Sequence, residues 1–225
     1  MNRHIIFEDL GISEYKKTWE YQEMLMQKVI AQKMKKKINP ELESDNYLLF
    51  VEHPHVYTLG KSGDEQNLLL NYIQLQAADA TFFHTDRGGD ITYHGPGQIV
   101  GYPIFDLENF GIGLRQYIHL MEEAIIKTIA AFGLEGRRDD KATGVWLDVG
   151  KPTARKICAI GVKSSRFVTM HGFAFNVNTN LNYFQHINPC GFTDRGVTSL
   201  GKEMGTKQDF EAVKKLVLKK LMEVF

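Results

Sequence analysis

Apolar side chains recur at helical spacing in several segments of the chain. In residues 13–37 the apolar positions form one face, made of Tyr15, Trp19, Met26, Ile30 and Met34. A second such face, in residues 114–132, is made of Leu114, Ile118, Met121, Ile125, Ile129 and Phe132. Residues at this spacing share one side of an α-helix, so we predict helices over both segments and over 209–225. Ser13 and Asp209 are the expected N-caps and Gly133 is the expected C-cap.

Shorter segments rich in β-branched and aromatic residues predict strands. They are 46–53, 80–86, 98–107, 144–149, 156–164 and 166–178. Pro103 indicates an edge strand or an irregular strand end, because proline donates no hydrogen bond to a ladder. The elements do not alternate regularly as β-α-β units. The pattern therefore predicts an α+β fold, a mixed, largely antiparallel sheet flanked by helices, in a single domain over residues 1–225.

Composition narrows the class of protein. Of the 225 residues, 43% are hydrophobic and 24% are charged, as in ordinary globular proteins. Lys+Arg and Asp+Glu both number 27, so net charge gives no reason to expect a nucleic acid or a membrane as partner. No apolar run reaches the length of a membrane span, and the N-terminus lacks the apolar core of a signal peptide. The two cysteines are too few for a disulfide scaffold, and we expect a cytoplasmic protein with reduced thiols.

A glycine-rich segment, residues 87–103, is the most unusual feature of the sequence. Neither this segment nor LGKSG at 59–63 matches a phosphate-binding loop, because a Walker A loop needs a glycine where His55 stands and the G-x-G-x-x-G order is missing. A turn that joins two strands is one interpretation. The segment also carries four hydrogen-bonding side chains, Arg87, Tyr93, His94 and Gln98. These favour a binding site, in which glycine lets the backbone approach a ligand and His94 donates to a developing oxyanion.

The two cysteines compete for the role of nucleophile. Cys190 lies between a proline and a glycine, in a turn that would expose its sulfur, whereas Cys158 lies between apolar strand residues, where a cysteine is usually packed. Lys156 stands in the same strand as Cys158, either as a functional lysine or as an edge-strand lysine that faces water. Strand alternation places Lys156 on the face of Cys158, so the residues alone favour Cys190 without excluding Cys158. His171, which a glycine follows, has a structural role as its simpler interpretation.

Two further features have alternative interpretations. His53 and His55 have the spacing of a metal-binding pair, but no third ligand is evident in the sequence. Several basic groups could meet an acidic partner protein, although such runs are usually solvated faces. They are residues 33–37, Arg137, Arg138, Lys151 and Arg155.

Four motifs occur in the order and approximate spacing of one enzyme family. They are RGGDITYHGPGQIVGYP at 87–103, KICAIG at 156–161, HGFAFNV at 171–177 and INPCG at 187–191. With these motifs, over residues 51–201, the chain resembles the lipoate-biosynthesis octanoyltransferases. Such enzymes move an octanoyl group from acyl carrier protein to a lysine of a lipoyl domain through a cysteine thioester. Their fold is similar to the catalytic domain of biotin and lipoate ligases.

The resemblance implies roles for particular residues. It places the nucleophile at Cys190 and the lysine that lowers the pKa of the nucleophile at Lys156, and we keep His171 as a candidate supporting residue. It places the acyl-binding residues at Arg87, Gly88, Gly89, Asp90, Ile91, Thr92, Tyr93, His94, Ala159, Ile160, Gly161, Gly172, Phe173 and Ala174. Under this interpretation Cys158 is a packed bystander.

The same resemblance sets expectations for cofactors and partners. A thioester donor is already activated, so neither ATP nor a metal is expected. The expected donor is octanoyl-acyl carrier protein, and the expected acceptors are lipoyl domains of 2-oxoacid dehydrogenase E2 subunits and the glycine cleavage H protein. One alternative is an ATP-dependent lipoate or biotin ligase of similar fold, which would bind a nucleotide and need no cysteine. Another is a non-catalytic protein that binds acyl carriers or lipoyl domains.

Overall fold

A computed structural model describes residues 2–188 and 196–225. Ten strands and six helices follow one another in these ranges: β1 (Ile6–Ile12), α1 (Tyr15–Lys36), β2 (Tyr47–Glu52), β3 (Val56–Leu59), α2 (Tyr72–Ala77), β4 (Thr81–His84), β5 (Ile91–His94), β6 (Gln98–Ile104), α3 (Leu107–Phe110), α4 (Leu114–Ala130), β7 (Gly144–Leu147), β8 (Arg155–Ser165), β9 (Val168–Asn176), β10 (Gly196–Val197), α5 (Leu200–Met204) and α6 (Phe210–Val224). Short 3₁₀ helices occur at Glu65–Asn67 and Leu181–His186. The predicted mixture of strands and helices is confirmed.

The described strands form two sheets. The larger one has the order β1-β2-β6-β9-β8-β10, and β7 also pairs with β8. Its β1–β2 and β8–β10 pairs are parallel and its other pairs are antiparallel, so the predicted mixed, largely antiparallel sheet is confirmed. A smaller sheet has the order β4-β3-β5. Strands β1, β3, β5 and β10 were not expected from the sequence.

Helices cover both faces of the larger sheet. On one face, α1 packs over a core that includes Leu49, Val100 and Met170. On the other face, α4 and α6 pack together over a core that includes Phe50 and Phe175. No helix in the described ranges has both the length and the apolar character needed to cross a membrane.

The predicted helices are present, but several of their details differ. Met34 is 43% exposed, and the buried face of α1 includes the polar residues Gln22 and Lys33 instead. Ser13 does not cap α1, because Glu14 occupies the N-cap position without a side-chain hydrogen bond, and Ser13 Oγ accepts from Thr18 Oγ1. In α4, the helical spacing of apolar residues predicted that Leu114 lies in the core, but its side chain is partly exposed.

The ends of α4 and α6 test two predicted caps. The C-cap of α4 is Ala131, and Gly133 adopts its left-handed conformation two residues later, so the expected cap position was wrong. Asp209 caps α6 as predicted, because its carboxylate accepts a hydrogen bond from the Ala212 N–H at 3.0 Å.

Pro103 lies in a central strand. Because β6 is paired with β2 and β9, the expectation of an edge strand was wrong. The ladder between β6 and β9 ends at the Gly101–Phe173 pair, two residues before the proline. Beyond that point the Pro103 carbonyl accepts hydrogen bonds from the hydroxyl groups of Tyr117 and Thr169. The strand end is thus irregular only on the side of β9, because proline donates no hydrogen bond, while the ladder with β2 continues through the Leu48–Pro103 and Tyr47–Ile104 pairs.

Candidate active site

A cavity of about 490 Å³ lies over β8 and β9 and brings the predicted motifs together. The predicted residues that line it are Arg87, Gly88, Gly89, Asp90, Ile91, Thr92, His94, Lys156, Ala159, Ile160, Gly161, His171, Gly172, Phe173 and Ala174. Tyr93 is buried elsewhere, in a cluster with Tyr57, and its hydroxyl is hydrogen-bonded to His55. Cys190 lies outside the described residues. The acyl-binding role of the lining residues stays a prediction.

An extra residue in β8 separates Lys156 from Cys158. Val145 of β7 pairs with Cys158, but the next residue, Trp146, pairs with Lys156, so Ile157 is a β-bulge. Ile157 and Cys158 therefore both lie in the core, whereas Lys156 and Ala159 both line the cavity. Simple strand alternation, which placed Lys156 and Cys158 on one face, was wrong for this reason. Burial raises the pKa of the Cys158 thiol far above its ordinary value, which suits a packed bystander.

Lys156 is not an edge-strand lysine. Its backbone is paired on both sides, with Trp146 of β7 and with Val197 of β10. Its ammonium group lies 4.6 Å from the centroid of the Trp146 ring, and the Trp146 indole N–H donates to the Ala142 carbonyl at 2.8 Å. Chain segments on two sides thus hold this lysine at the cavity wall.

The start of the glycine-rich segment, residues 87–90, is hydrogen-bonded to the segment that resembles a Walker loop, residues 59–63. The N–H groups of Gly60, Lys61 and Ser62 donate to carbonyl oxygens of residues 87–90 at 3.0–3.3 Å. These three N–H groups are therefore already hydrogen-bonded to backbone carbonyl groups of the protein. Arg87, only 7% exposed, donates to the Thr58 carbonyl at 2.6 Å and fastens the loop to the smaller sheet.

Two glycines of the motifs are required by packing between protein segments. A Cβ atom at Gly172 would lie 2.1 Å from the Gly101 carbonyl oxygen, and one at Gly161 would lie 2.8 Å from the Gly88 carbonyl oxygen. We expected these glycines to admit a ligand. At both positions the backbone instead approaches another part of the chain, and this close approach shapes the cavity floor.

His94 is neutral and its proton lies on Nδ1. The Gln98 amide nitrogen donates to the Tyr93 carbonyl at 3.1 Å, so the Gln98 amide oxygen must face His94. That oxygen accepts from His94 Nδ1 at 2.8 Å, which leaves a lone pair on Nε2. Burial lowers the pKa of His94 to about 3. In this form His94 Nε2 is an acceptor, which contradicts the expectation that it donates to an oxyanion.

The buried His171, which lines the cavity, is paired with the partly exposed Asp86. His171 Nε2 donates to the Asp86 carboxylate at 2.8 Å, and Lys163 binds the other carboxylate oxygen. The hydrogen bond from His171 holds the pKa of Asp86 well below its ordinary value, whereas burial lowers the pKa of His171. The His171 backbone has φ +57°, a left-handed conformation that is uncommon for a residue with a side chain.

Tyr15 was predicted as a core residue, but it also lines the cavity. It is 2% exposed, and its ring stacks on His94 with centroids 5.9 Å apart. Within the described ranges its hydroxyl has no hydrogen bond to any other residue. Burial raises the pKa of this hydroxyl. Nothing in the spacing of apolar residues distinguishes such a position from the rest of a helix face.

The other candidate features have structural partners. His53 is buried between the Ser13 carbonyl and the Tyr102 hydroxyl, and no group of three or more potential metal ligands occurs among the described residues. Basic groups considered for carrier binding are ion-paired within the chain: Arg137 with Glu135, Arg138 with Glu123, Lys151 with Asp148 and Arg155 with Glu203.

Comparison with known proteins identifies the family. The model of the lipoyl protein ligase A/B catalytic domain matches residues 14–222. The chain belongs to this family. It is 58% identical to an octanoyltransferase of Flavobacterium johnsoniae over 100% of this chain and 98% of that protein. It is 54% identical to an octanoyltransferase of Christiangramia forsetii, over 100% of this chain and 97% of that protein. The resemblance to octanoyltransferases is confirmed, and the protein is an enzyme of the acyltransferase class.

Solved structures confirm the predicted ligase-like fold. A bipartite lipoate protein ligase of Thermoplasma acidophilum has a TM-score of 0.68 at 14% identity, covering 98% of this chain and 84% of that one. Lipoate-protein ligase A bound with ATP has a TM-score of 0.66 at 13% identity, covering 100% of this chain and 85% of that one. At such low identity these similarities establish the fold alone.

Proposed function

We propose that this protein transfers an octanoyl group from octanoyl-acyl carrier protein to a lysine of lipoyl domains, in the cytoplasm, through a thioester on Cys190. The observation that carries the proposal is the meeting of Lys156 with the three predicted acyl-binding stretches in one cavity. Apolar side chains in the lining, among them Val100, Ile160 and Phe173, suit an alkyl chain.

The proposed reaction has two balanced steps. In the first, the Cys190 thiolate attacks the donor thioester carbonyl, the bond to the carrier sulfur breaks, and the carrier thiolate takes a proton from the Lys156 ammonium. In the second, the acceptor lysine attacks the enzyme thioester, the bond to Cys190 breaks, and the neutral Lys156 takes the proton that the new amide nitrogen loses. An ammonium near the thiolate favours its ionised form, which is the attacking species.

This mechanism requires neither ATP nor a metal. The donor thioester is already activated, and the amide groups of residues 60–62 are bound to protein carbonyls, which disfavours a phosphate cradle there. We assign the acceptors to lipoyl domains of 2-oxoacid dehydrogenase E2 subunits and to the glycine cleavage H protein, as the family resemblance implies.

Intact mass spectrometry tests the proposal directly. The protein is mixed with octanoyl-carrier protein without acceptor, and one octanoyl mass is expected on the peptide that contains Cys190. Cys190→Ala should abolish this adduct, whereas the control Cys158→Ala should retain it, because Cys158 is buried in the core. An octanoyl group found on Cys158 would contradict the assignment of the nucleophile.

The same assay separates the transferase from a ligase. After apyrase treatment to remove ATP, transfer from octanoyl-carrier protein to a lipoyl domain should continue at an unchanged rate. A requirement for ATP together with free octanoic acid would instead establish the ligase alternative.

A further inference from the structure

A row of hydrogen-bonded side chains in the cavity wall leads to the backbone of Lys156. His94 Nδ1 donates to Gln98 Oε1 at 2.8 Å, and Gln98 Nε2 donates to Asn176 Oδ1 at 2.9 Å. Asn176 Nδ2 donates to the Thr198 carbonyl at 3.0 Å, and the Thr198 N–H donates to the Lys156 carbonyl at 2.9 Å. All three side chains of the row line the cavity, and Asn176 is joined to Lys156 by the fewest hydrogen bonds.

Asn176 is the last residue of a strand face that lines the cavity. Gly172, Ala174 and Asn176 alternate along β9 and therefore point to the same side of the sheet. All three line the cavity, and the side chain of Asn176 is buried. Glycine and alanine bring no polar side-chain atom to this face. The amide of Asn176 is thus a polar group at the end of an otherwise small and apolar surface.

The surrounding hydrogen bonds fix the orientation of the Asn176 amide. The Tyr93 carbonyl accepts from Gln98 Nε2, so the Gln98 nitrogen also donates to Asn176 Oδ1. The Asn176 nitrogen consequently faces the Thr198 carbonyl, which can only accept. A carboxamide nitrogen carries two hydrogens, and Thr198 binds one of them. The second has no hydrogen-bond partner among residues 2–188 and 196–225.

We propose that Asn176 donates this second N–H to the carbonyl oxygen of the acyl thioester. In each proposed step a nucleophile adds to that carbonyl, and its oxygen carries a negative charge until the sulfur leaves. A buried donor that is oriented before the reaction stabilises such an oxyanion strongly, and Asn176 gives up no proton. The inference rests on the proposed function. It assigns the oxyanion role that His94 cannot fill, because His94 Nε2 is an acceptor.

Replacement of the carbonyl oxygen by sulfur tests this contact, because sulfur is a weak hydrogen-bond acceptor. Octanoyl-carrier protein is prepared as the thioester and as the dithioester, in which C=S replaces C=O. Mass spectrometry then gives the rate constant of enzyme acylation for each donor. In Asn176→Ala the thioester rate constant should fall by about 100-fold, as for the loss of one oxyanion donor, and the dithioester rate constant much less. The thioester-to-dithioester ratio should therefore fall by about tenfold or more.

Asn178→Ala is the matched control. Asn178 Nδ2 donates to the Gln208 carbonyl, and Asn178 Oδ1 accepts from the Gln208 N–H, both at 2.9 Å. Asn178 does not line the cavity, so its replacement removes hydrogen bonds of the same kind away from the site. The ratio should remain that of the native protein, whatever the change in melting temperature.

Asn176→Asp is a second variant, which decides the question if Asn176→Ala does not fold. It keeps an oxygen that accepts from Gln98, but an ionised carboxylate donates no hydrogen bond. The ratio should fall in this variant as well. If both donors slow equally, so that the ratio stays native, Asn176 has only a structural role and the inference is overturned. If the native protein forms no octanoyl adduct, the proposed function is wrong and the inference is overturned with it.

Discussion

Lys156 has strand neighbours on both sides, Trp146 and Val197, and its ammonium lies over the Trp146 ring. The family motif predicted this residue, but its surroundings depend on strand pairings that no local pattern contains. His94 shows the same limit. Its place in the motif was evident, yet its proton position follows from a Gln98 amide that the Tyr93 carbonyl orients. Most of the described residues that line the cavity were therefore predictable from the motifs, whereas hydrogen-bond directions were not.

Replacement of Lys156 separates its two proposed roles. Lys156→Ala should slow formation of the octanoyl-enzyme by about 100-fold near neutral pH, in the range typical of a lost acid–base group. Lys156→Arg keeps the positive charge but cannot give up a proton, so it should form the intermediate and pass it slowly to a lipoyl-domain lysine. Single-turnover mass spectrometry measures both steps. Normal turnover in Lys156→Ala would mean that the lysine is structural.

At the scale of elements, the periodic spacing of apolar residues correctly predicted the three long helices. Helices α1, α4 and α6 each present an apolar face over several turns, which the sequence displays clearly. Strands β3 and β5 escaped prediction, although the equally short β4 and β7 lie in predicted segments. Both β3 and β5 are closely flanked by proline or glycine, which are typical of turns. The bulge at Ile157 also escaped prediction, because an inserted residue is visible only against its partner strand.

The close contact between β6 and β9 leads to a stability prediction. Gly172→Ala should destabilise the fold by about 3 kcal/mol, since its Cβ would lie 2.1 Å from the Gly101 carbonyl oxygen. Gly113→Ala is the control, because a Cβ there meets no atom within 4 Å and the expected cost is only about 1 kcal/mol or less for an N-cap. Urea denaturation gives both values. Equal effects of the two substitutions would show that the strands can separate to make room.

At the scale of the whole molecule, the cavity lies where the two sheets and α1 meet, and buried histidines occupy this junction. His53 and His94 have T-shaped rings with centroids 5.9 Å apart, and both are buried. Burial lowers the pKa of His53 to about 4 and that of His94 to about 3. The α+β class was predictable from element order, but this junction was not, because it joins residues from distant parts of the chain.

These histidines make stability depend on pH. Between the folded pKa values and the unfolded value of about 6.5, the unfolded chain binds protons that the folded protein does not. Stability is therefore complete above about pH 6.5 and falls as the pH decreases, by about 2 kcal/mol for each histidine at pH 5. Denaturant unfolding at pH 7 and pH 5 measures this difference.

Variants assign the pH dependence to particular histidines. His94→Gln should reduce the difference between pH 7 and pH 5 by about 2 kcal/mol, since one titrating group is removed. His119→Gln, at an exposed position on α4, should leave the difference as in the native protein. A native protein equally stable at both pH values would contradict the neutral state of the buried histidines.

The inserted residue in β8, Ile157, shifts the alternation of side chains between the two faces of the strand by one position. Before Ile157 the even-numbered position 156 faces the cavity, and after it the odd-numbered position 159 does. With an unbroken alternation, the sulfur at 158 would lie in the cavity in which we propose that the acyl group is exchanged. A second thiol there could capture that group in a dead-end thioester. If the proposed function is correct, one extra residue thus keeps a competing thiol away from the reaction, and the cysteine at 158 stays in the core.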